Sequence, residues 1–235
     1  MVEKILCIIP ARAGSKEIPN KNIKPFRGKP LLAWSIEQAR AAAYPMRIIV
    51  STDSQEYAAI ARSYGAEVPF LRPPEISQDL SIDEELFAHA LNWLKQHEGY
   101  EPDILVHLRA TYPTRSVETL NNCIRTFLAV KDKYTSLRTV VPTEKTPFKM
   151  YRMVDGALEP LFRTLEDIHE PFNNCRQRLP PTWTHNCCID ILTPAVVRSG
   201  SMSGDRIYPY SMHRGEFFDI DTDADWASAE NVDKE

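Results

Sequence analysis

The sequence predicts an α/β protein with a mostly parallel central sheet. Short, continuous apolar segments of strand length recur along the chain, and most are separated by segments whose apolar residues repeat at helical spacing. Continuous apolar strands are typical of parallel sheets, because helices bury both faces of such a strand. The alternation of strands and helices therefore predicts a sheet that is covered on both sides.

The individual elements follow from this alternation and from local signals. Proline is favoured at the first position of a helix, so Pro30 is expected to begin one. Ser81 with Glu84 forms a predicted capping box, and Gly65 is the expected end of a helix around Tyr57. The predicted strands are residues 4–10, 47–51, 68–71, 103–108, 136–141 and 187–192, and the last predicted helices cover residues 117–128 and 224–232.

Residues 143–184 interrupt the alternation. Asp155-Gly156 lies between weakly alternating segments, which predicts a hairpin, and residues 164–184 are rich in proline and lack periodicity. We expect a single domain over residues 1–235, with residues 143–184 as an excursion whose apolar side chains need a covering surface. A second subunit or the same chain could supply that surface. These apolar residues are Phe148, Met150, Tyr151, Leu161 and Phe162.

The composition excludes several classes of protein. The 235 residues include 28 Lys and Arg against 32 Asp and Glu, a formal charge of −4, so the basic surface that nucleic-acid binding needs is not expected. No apolar run approaches the 18 or more residues of a membrane span, and the first residues have no signal-peptide architecture. We expect a cytoplasmic protein with neither a membrane nor a nucleic-acid partner. The five cysteines lack CxxC spacing, which disfavours a disulfide framework and a zinc site.

The loop after the first predicted strand carries the clearest functional signal. It reads PARAGSKEIPNKN over residues 10–22, and open α/β sheets bind ligands at this carboxyl end of a strand. Gly14 lets backbone amides approach an anion and Ser15 adds a hydroxyl donor, so the loop predicts a phosphate-binding cradle. The spacing excludes a Walker P-loop and disfavours a dinucleotide fingerprint, while a solvated basic loop is the alternative. The positive charges are Arg12, Lys16, Lys21 and Lys24.

Five short segments form a further pattern over about residues 5–230. They are Ala11-Arg-Ala-Gly-Ser-Lys-x-x-Pro-x-Lys-Asn22, Ser51-Thr-Asp53, Thr111-x-Pro-x-Arg115, Arg176-Gln177 before Leu179-Pro180, and Asp219-Ile-Asp-Thr222. In this order they resemble the CMP-sialic acid synthetases (acylneuraminate cytidylyltransferases). The resemblance implies a Rossmann-like nucleotidyltransferase fold, a homodimer and a Mg²⁺-dependent reaction. In that reaction the anomeric hydroxyl of a 2-keto sugar acid attacks the α-phosphorus of CTP, and pyrophosphate leaves.

The resemblance also implies roles for the cradle residues. Lys21 is expected to stabilise the charge that builds on the α-phosphate, because phosphoryl transfer depends on positioning and charge neutralisation. Arg12 and Asp221 are the other catalytic candidates. Asp53, by contrast, is expected to cap a helix or to order a loop. The expected nucleotide-binding residues are Arg12, Gly14, Ser15, Lys21 and Asn22.

Asp219 and Asp221 are two residues apart, so on an extended segment their carboxylates point to the same side. Two carboxylates can hold Mg²⁺ together with substrate phosphate oxygens, and the resemblance favours Mg²⁺ at both. Capping of the following helix by Asp221 or Thr222 is the alternative, and both roles can coexist. The general base stays open between a carboxylate and a metal-bound hydroxide.

Five residues are candidates for contacts with the sugar: Arg109, Arg115, Arg176, Gln177 and Asp190. Arg176 matches a family position that binds the sugar carboxylate, with an ion pair between subunits as the alternative. Arg115 could contact the sugar or the nucleotide, or lie at the surface where a helix starts. Arg109 and Asp190 stand where the family has a glutamine and a tyrosine, and they could pair with each other. These departures favour a related nine-carbon sugar acid, such as one of the legionaminic or pseudaminic type, or another 2-keto acid.

Two other classes of function stay open at this point. The same fold could use another NTP or a sugar phosphate, although the loops of such enzymes are usually richer in glycine. A non-catalytic module that binds a nucleotide or a sugar is the second alternative. The retention of Lys21, Asp219 and Asp221 argues against it.

Overall fold

The computed structural model describes residues 3–213 and 215–231. The chain forms two compact units: the first is built from the segments up to Thr139 and from Cys187 onward, and the second spans Val140–Asn186. The helices of the described segments are too short or too polar to cross a membrane. Val232, the predicted end of the closing helix, lies outside the described residues.

Strands and short helices alternate through most of the described chain. The strands are β1 (Ile5–Pro10), β2 (Pro25–Phe26), β3 (Lys29–Pro30), β4 (Met46–Ser51), β5 (Ile104–His107), β6 (Ser136–Pro142), β7 (Tyr151–Val154), β8 (Ala157–Pro160), β9 (Thr164–Leu165), β10 (Ile168–His169), β11 (Trp183–Leu192) and β12 (Ile207–Ser211). The helices are α1 (Leu31–Ala41), α2 (Gln55–Ser63), α3 (Asp83–Glu98), α4 (Val117–Val130), α5 (Pro194–Arg198) and α6 (Asp223–Asn231).

A six-stranded sheet has the strand order β12-β6-β11-β5-β1-β4. Strand β1 pairs in parallel with both β4 and β5, whereas β11 runs antiparallel to β5. Strand β1 is buried from Ile5 to Ile9, as expected for a strand that helices cover. The predicted fold class, an α/β protein of the nucleotidyltransferase type with a mostly parallel sheet, is confirmed.

Helix α3 shows how the sequence pattern directs packing. Its apolar residues recur at helical spacing, and five of them are buried in one core cluster that includes side chains of β1, while Ala88 and Trp93 are partly buried against it. Burying one leucine or phenylalanine side chain stabilises the fold by about 1.5–3 kcal/mol. This packing fixes the start of α3 beside the carboxyl end of the sheet. The buried residues of the helix are Leu86, Phe87, Ala90, Leu91 and Leu94.

The strand expected at residues 68–71 does not form. Pairing with β4 ends after a single parallel bridge between Ile49 and Glu67. Pro69 follows two positions after Glu67, and proline has no amide hydrogen to continue a ladder. The prediction is wrong because it was based on the apolar composition of residues 68–71, which does not replace the amide hydrogen that Pro69 lacks.

The capping box of α3 is shifted by one residue from its predicted position. The amide of Ile82 donates to the Glu85 carboxylate at 3.0 Å, whereas the Ser81 hydroxyl accepts from the amide of Gln78 at 2.9 Å. The helix therefore begins after Ile82, because Glu85 satisfies the amide there. Sequence analysis also missed the short helix α5 and the edge strand β12.

The second unit contains the hairpin predicted around Asp155-Gly156. Both turn residues have positive φ, 49° and 80°, as a two-residue hairpin turn requires. In the register of β7 and β8, Met153 lies opposite Leu158. Large apolar side chains of this unit are exposed: Met150, Tyr151, Met153, Leu158, Leu161, Phe162 and Trp183.

Candidate active site

Hydrogen bonds hold the loop after β1 at both ends. The amide of Ala13 donates to Oδ1 of Asp53 at 2.8 Å, which confirms the expected structural role of Asp53. The buried Asn22 donates from Nδ2 to the carbonyl oxygen of Arg12 at 3.0 Å. The two contacts fix the path of the loop across the carboxyl end of the sheet.

The middle of this loop presents backbone amides. Gly14 has φ of 80°, in the left-handed region that favours glycine. No hydrogen bond joins the amides of Gly14, Ser15 or Lys16 to another residue of the described segments. Successive unpaired amides near a left-handed residue form a concave anion site, so the predicted phosphate cradle has the backbone shape that it needs.

A cavity of about 560 Å³ opens beside the loop within the first unit. Its walls come from the loop, from the segment before α3, from the end of β5, from β11 and from the segment before α6. The fold thus brings together side chains that are distant in the sequence, such as Lys21 and Asp221, which are 200 positions apart. The predicted site residues that line the cavity are Arg12, Ser15, Lys21, Asn22, Arg109, Asp219 and Asp221.

Lys21 is fixed at the wall of the cavity. Its Nζ donates to the carbonyl oxygen of Ile220 and to Oδ1 of Asp221, both at 2.8 Å. The Lys21 side chain is only 12 % exposed, whereas that of Asp221 is 66 % exposed. A charged ammonium group is therefore held in place by a partner that solvent or a ligand can reach.

Asp219 lies deeper in the wall than Asp221. The hydroxyl of Tyr112 donates to Oδ2 of Asp219 at 2.7 Å, while Oδ1 is buried without a hydrogen-bond partner among the described residues. Burial raises the pKa of Asp219 above its usual range, although the hydrogen bond from Tyr112 opposes the shift. An unpartnered buried carboxylate oxygen is costly, so this atom is suited to accept a ligand.

The donor set fits a magnesium ion that substrate helps to bind. Asp219 and Asp221 offer carboxylate oxygens, which are the ligands that Mg²⁺ prefers. No group of three or more His, Cys, Asp or Glu in residues 3–213 and 215–231 could hold a metal by itself. Binding would therefore need phosphate oxygens and water as the remaining ligands.

Thr222, and not Asp221, caps helix α6. The Thr222 hydroxyl accepts from the amide of Asp225 at 3.2 Å, and the Asp225 carboxylate accepts from the amide of Thr222 at 2.7 Å. This reciprocal pair is a capping arrangement. Of the two capping alternatives, only that of Thr222 is realised, and the Asp221 side chain stays available at the cavity.

Arg109 enters the cavity from the end of β5 with its guanidinium group held on two sides. It donates to Asp83 at 2.7 Å, to the carbonyl oxygen of Cys187 at 2.9 Å and to Asp190 at 3.4 Å. The predicted pairing of Arg109 with Asp190 is therefore confirmed. Asp190 itself is 2 % exposed and does not line the cavity. The predicted direct contact of Asp190 with the sugar is therefore wrong, and its carboxylate instead holds the guanidinium group of Arg109.

His107 lies next to this buried carboxylate. Its Nδ1 is 3.7 Å from Asp190. Burial, reinforced by the positive charge of Arg109, lowers the pKa of His107 to about 4. His107 is therefore neutral at pH 7 and adds no positive charge beside Asp190 and Arg109.

Arg115 holds the core together and does not line the cavity. It is 2 % exposed, and its guanidinium group donates to the carbonyl oxygens of Cys188 and Arg109 and to the side chain of Gln38 at 2.8–3.0 Å. The predicted contact with sugar or nucleotide is thus replaced by a structural role. The alternative, that Arg115 lies at the surface where a helix starts, is also wrong. The buried backbone carbonyl groups around its guanidinium group need hydrogen-bond donors, and Arg115 supplies them.

Arg176 and Gln177 belong to the second unit. They lie in a short 3₁₀ turn, Arg176–Arg178, and both are exposed. The Arg176 guanidinium donates to the carbonyl oxygen of Thr143 at 3.4 Å. Their predicted contacts with the sugar stay predictions.

Sequence reasoning missed three residues of the cavity region. Asp79 forms ion pairs with Arg12 and Lys16, and Asp83 pairs with Arg109. Each of these three ion pairs joins segments that are distant in the sequence. Tyr112, which holds Asp219, was also missed. A local motif carries no signal for such contacts, because only the fold brings the partners together.

A comparison with family models matches residues 6–154 to the family described as cytidylyltransferase. The chain belongs to the cytidylyltransferase family. Membership confirms the resemblance to CMP-sialic acid synthetases that the sequence motifs carry, and it makes this chain a nucleotidyltransferase. The alternative of a non-catalytic module is set aside.

Two relatives and one solved structure show how far the similarity extends. A CMP-N,N'-diacetyllegionaminic acid synthase of Legionella pneumophila is 32 % identical over 235 residues, which cover 97 % of this chain and 96 % of the relative. Post-translational flagellin modification protein B of Campylobacter coli is 30 % identical over 236 residues, covering 100 % and 97 %. The solved structure of a CMP:2-keto-3-deoxy-manno-octonic acid synthetase with CTP has a TM-score of 0.68 at 15 % identity, covering 97 % and 98 %, and shows a shared fold.

Proposed function

We propose that this enzyme transfers CMP from CTP to the anomeric hydroxyl of a nine-carbon 2-keto sugar acid, with Mg²⁺ bound, and releases pyrophosphate. The observation that carries the proposal is the meeting of Lys21, Asp219 and Asp221 beside the phosphate cradle. Family membership supports a cytidine nucleotide as donor. The similarity to a legionaminic acid synthase over nearly the whole chain supports a nonulosonic acid as acceptor.

The side chains of the cradle supply the charge neutralisation that this reaction needs. Arg12, Ser15 and the amides around Gly14 bind the oxygens of the triphosphate. Lys21 donates to the α-phosphate, where negative charge increases as the sugar hydroxyl attacks, and a preorganised cation is most effective there. Bond formation and departure of pyrophosphate occur in line, so the cradle also orients the leaving group.

Asp219 and Asp221 would hold Mg²⁺ together with oxygens of the triphosphate. The ion, when bound, adds positive charge next to the transferred group. Oδ1 of Asp219 supports this assignment, because it is buried and unpartnered among the described residues. The exposed carboxylate of Asp221 supplies the second oxygen from the same side of the cavity.

Arg109 is the predicted sugar contact that the cavity supports best. Two carboxylates and a carbonyl oxygen fix its guanidinium group, and its Nε–H and one Nη2–H have no partner among the described residues. A rigid donor of this kind suits an oxygen of the acceptor sugar. Arg176 and Gln177 remain candidates for the sugar carboxylate.

The second unit suggests how a homodimer would form. Met153 and Leu158 are directly opposite each other on the hairpin, and their side chains are 74 % and 64 % exposed. Exposed apolar patches commonly mark protein interfaces, so we propose that this face of the hairpin contacts a second copy. Use of CTP also supports the cytoplasmic location expected from the sequence.

Sedimentation tests the dimer. The double variant Met153→Glu and Leu158→Glu should shift the protein from dimer to monomer, because charges would be buried in the contact. Arg152→Ala is the matched control, since neighbouring strand residues point to opposite faces. A double variant that sediments like the wild type would show that this face is not the contact.

The reaction is tested by pyrophosphate release from the wild-type enzyme with four NTPs and a panel of acceptors. The panel contains N-acetylneuraminate, a legionaminic acid, a pseudaminic acid and several sugar 1-phosphates, each with and without Mg²⁺. We expect release with CTP and a nonulosonic acid, and no release after EDTA treatment. Release with another NTP and a sugar phosphate would instead support the alternative that the enzyme transfers a different nucleotide to a sugar phosphate.

A further inference from the structure

Asp79 connects two cations of the phosphate cradle. Its Oδ1 is 3.0 Å from Nη1 of Arg12, and its Oδ2 forms an ion pair with Nζ of Lys16. Arg12 and Lys16 flank Gly14 in the loop after β1, whereas Asp79 comes from the segment before α3. Arg12, Lys16 and Asp79 all line the cavity.

The geometry of this contact resembles that of a bound phosphate. Each carboxylate oxygen takes one cation, as two oxygens of a phosphate would between an arginine and a lysine. Lys16 and Arg12 hold the pKa of Asp79 below its usual range, so the carboxylate is ionised at neutral pH. The cradle thus carries its own anion.

The ion pairs of Asp79 with Arg12 and Lys16 are exposed enough for a ligand to replace Asp79. The side chains of Arg12, Lys16 and Asp79 are 32 %, 72 % and 44 % exposed, and solvent screening makes exposed ion pairs weak. The neighbouring Leu80 is almost fully exposed, so its side chain does not anchor this part of the segment in the core. A ligand with several negative charges can displace such a partner, because it offers the two cations more charge than one carboxylate.

We propose that Asp79 is an intramolecular competitor of the phosphate ligand and occupies the triphosphate position in the ligand-free enzyme. Ligands that carry a diphosphate or triphosphate replace it on Arg12 and Lys16, whereas ligands without phosphate gain nothing from that exchange. When pyrophosphate leaves, the carboxylate returns to the two cations. The inference rests on the proposed binding of a nucleoside triphosphate at this loop.

The test compares Asp79→Asn with the wild type by calorimetric titration in EDTA, using CTP, pyrophosphate and cytidine as ligands. Asparagine keeps the shape of the side chain and removes its charge. We expect the Kd values for CTP and pyrophosphate to fall about three- to tenfold, since two exposed ion pairs no longer compete. The Kd for cytidine should not change.

Glu75→Gln is the matched control variant. Glu75 is exposed on the same segment, four residues before Asp79, and forms no ion pair within the described residues. Its substitution removes the same charge without touching Arg12 or Lys16, so both Kd values should stay at the wild-type level. An equal gain in affinity for CTP and pyrophosphate in this variant would overturn the proposal, because the effect would then come from the change in net charge and not from the contact of Asp79 with Arg12 and Lys16.

Other outcomes also decide the matter. Weaker binding of pyrophosphate by Asp79→Asn would overturn the proposal, since Asp79 would then assist the ligand. Unchanged binding, or a gain for cytidine that equals the gain for CTP, would overturn it as well. A protein that does not bind CTP but shows the pyrophosphate gain in Asp79→Asn would refute the proposed function and still support the exchange at Asp79.

Discussion

The cationic side chains of the candidate active site form two groups that differ in the exposure of their acidic partners. In the loop after β1, Lys21 pairs with Asp221 and Arg12 with Asp79, and both carboxylates are largely open to solvent. At the end of β5, Arg109 pairs with Asp190, whose side chain is only 3 % exposed. The same kind of ion pair therefore occurs in two different environments.

The exposure of the carboxylate decides what each pair can do. An exposed carboxylate that loses its cation regains water at little cost, so phosphate can take its place. A buried carboxylate that loses its cation is left as an uncompensated charge, which is strongly unfavourable. The loop cations are thus free to bind a ligand, whereas the buried pair fixes the shape of the cavity wall.

The largest expected effect comes from Lys21→Ala in the exchangeable group. Pyrophosphate release should fall about 100- to 1000-fold, because a preorganised positive charge at the α-phosphate is lost. The urea midpoint should change little, since the partner Asp221 is exposed. Lys24→Ala is the control, because Lys24 pairs with Asp223 and does not line the cavity. Equal activities of the two variants would contradict the assignment of Lys21.

Asp190→Asn tests the buried group. The free energy of unfolding should fall by about 3 kcal/mol, because Arg109 and Arg138 lose the charge that lies between them. Urea unfolding measures this change. Asp79→Asn, which removes an exposed carboxylate, should leave the midpoint where it is. The contrast between buried and exposed pairs would be wrong if both variants unfolded at the same urea concentration.

The pH dependence of stability sharpens the contrast. His107 faces Asp190, Arg109, Asp83 and Arg115, and its pKa in the folded state is about 4 because it is buried. In the unfolded chain it takes up a proton near pH 6.5. The contribution of the neutral His107 to stability is therefore fully present above pH 6.5 and is lost, by up to about 3 kcal/mol, as the pH drops towards 4.

Two histidine variants check this origin. His107→Gln should flatten the decline in the urea midpoint between pH 6.5 and 4, since the titrating group is gone. The exposed His97 on α3 provides the control, and His97→Gln should keep the wild-type profile. An unchanged profile in His107→Gln would assign the pH dependence to other groups.

The smallest expected effect concerns two glycines. Gly14 and Gly28 both have positive φ, 80° and 85°, and an added Cβ would meet open space at each. Alanine at either position should lower the free energy of unfolding by about 1 kcal/mol. Only Gly14→Ala should also weaken binding of pyrophosphate, because the cradle amides would shift. Equal pyrophosphate affinities of the two variants would show that the amides near Gly14 do not contact the ligand.

Much of the fold could be predicted because its signals are local. Buried strands appear as continuous apolar runs, and the stripe of Leu86 to Leu94 identifies the core face of α3. The hairpin at Asp155-Gly156 follows from two residues that tolerate positive φ. The phosphate cradle was also readable, since glycine, hydroxyl and basic residues fall within one loop.

The sequence by itself therefore determined five of the six strands of the central sheet, most of the helices and the set of residues that can bind phosphate, because each depends on neighbours a few positions apart. Only the tertiary structure decided which charges face the cavity and which support it. Arg115 and Asp190 were predicted as sugar contacts, yet long-range pairing buries both. Asp79 carried no local signal, and the fold places it on Arg12 and Lys16. Burial is a property of the whole fold, and it separates an exchangeable ion pair from a structural one.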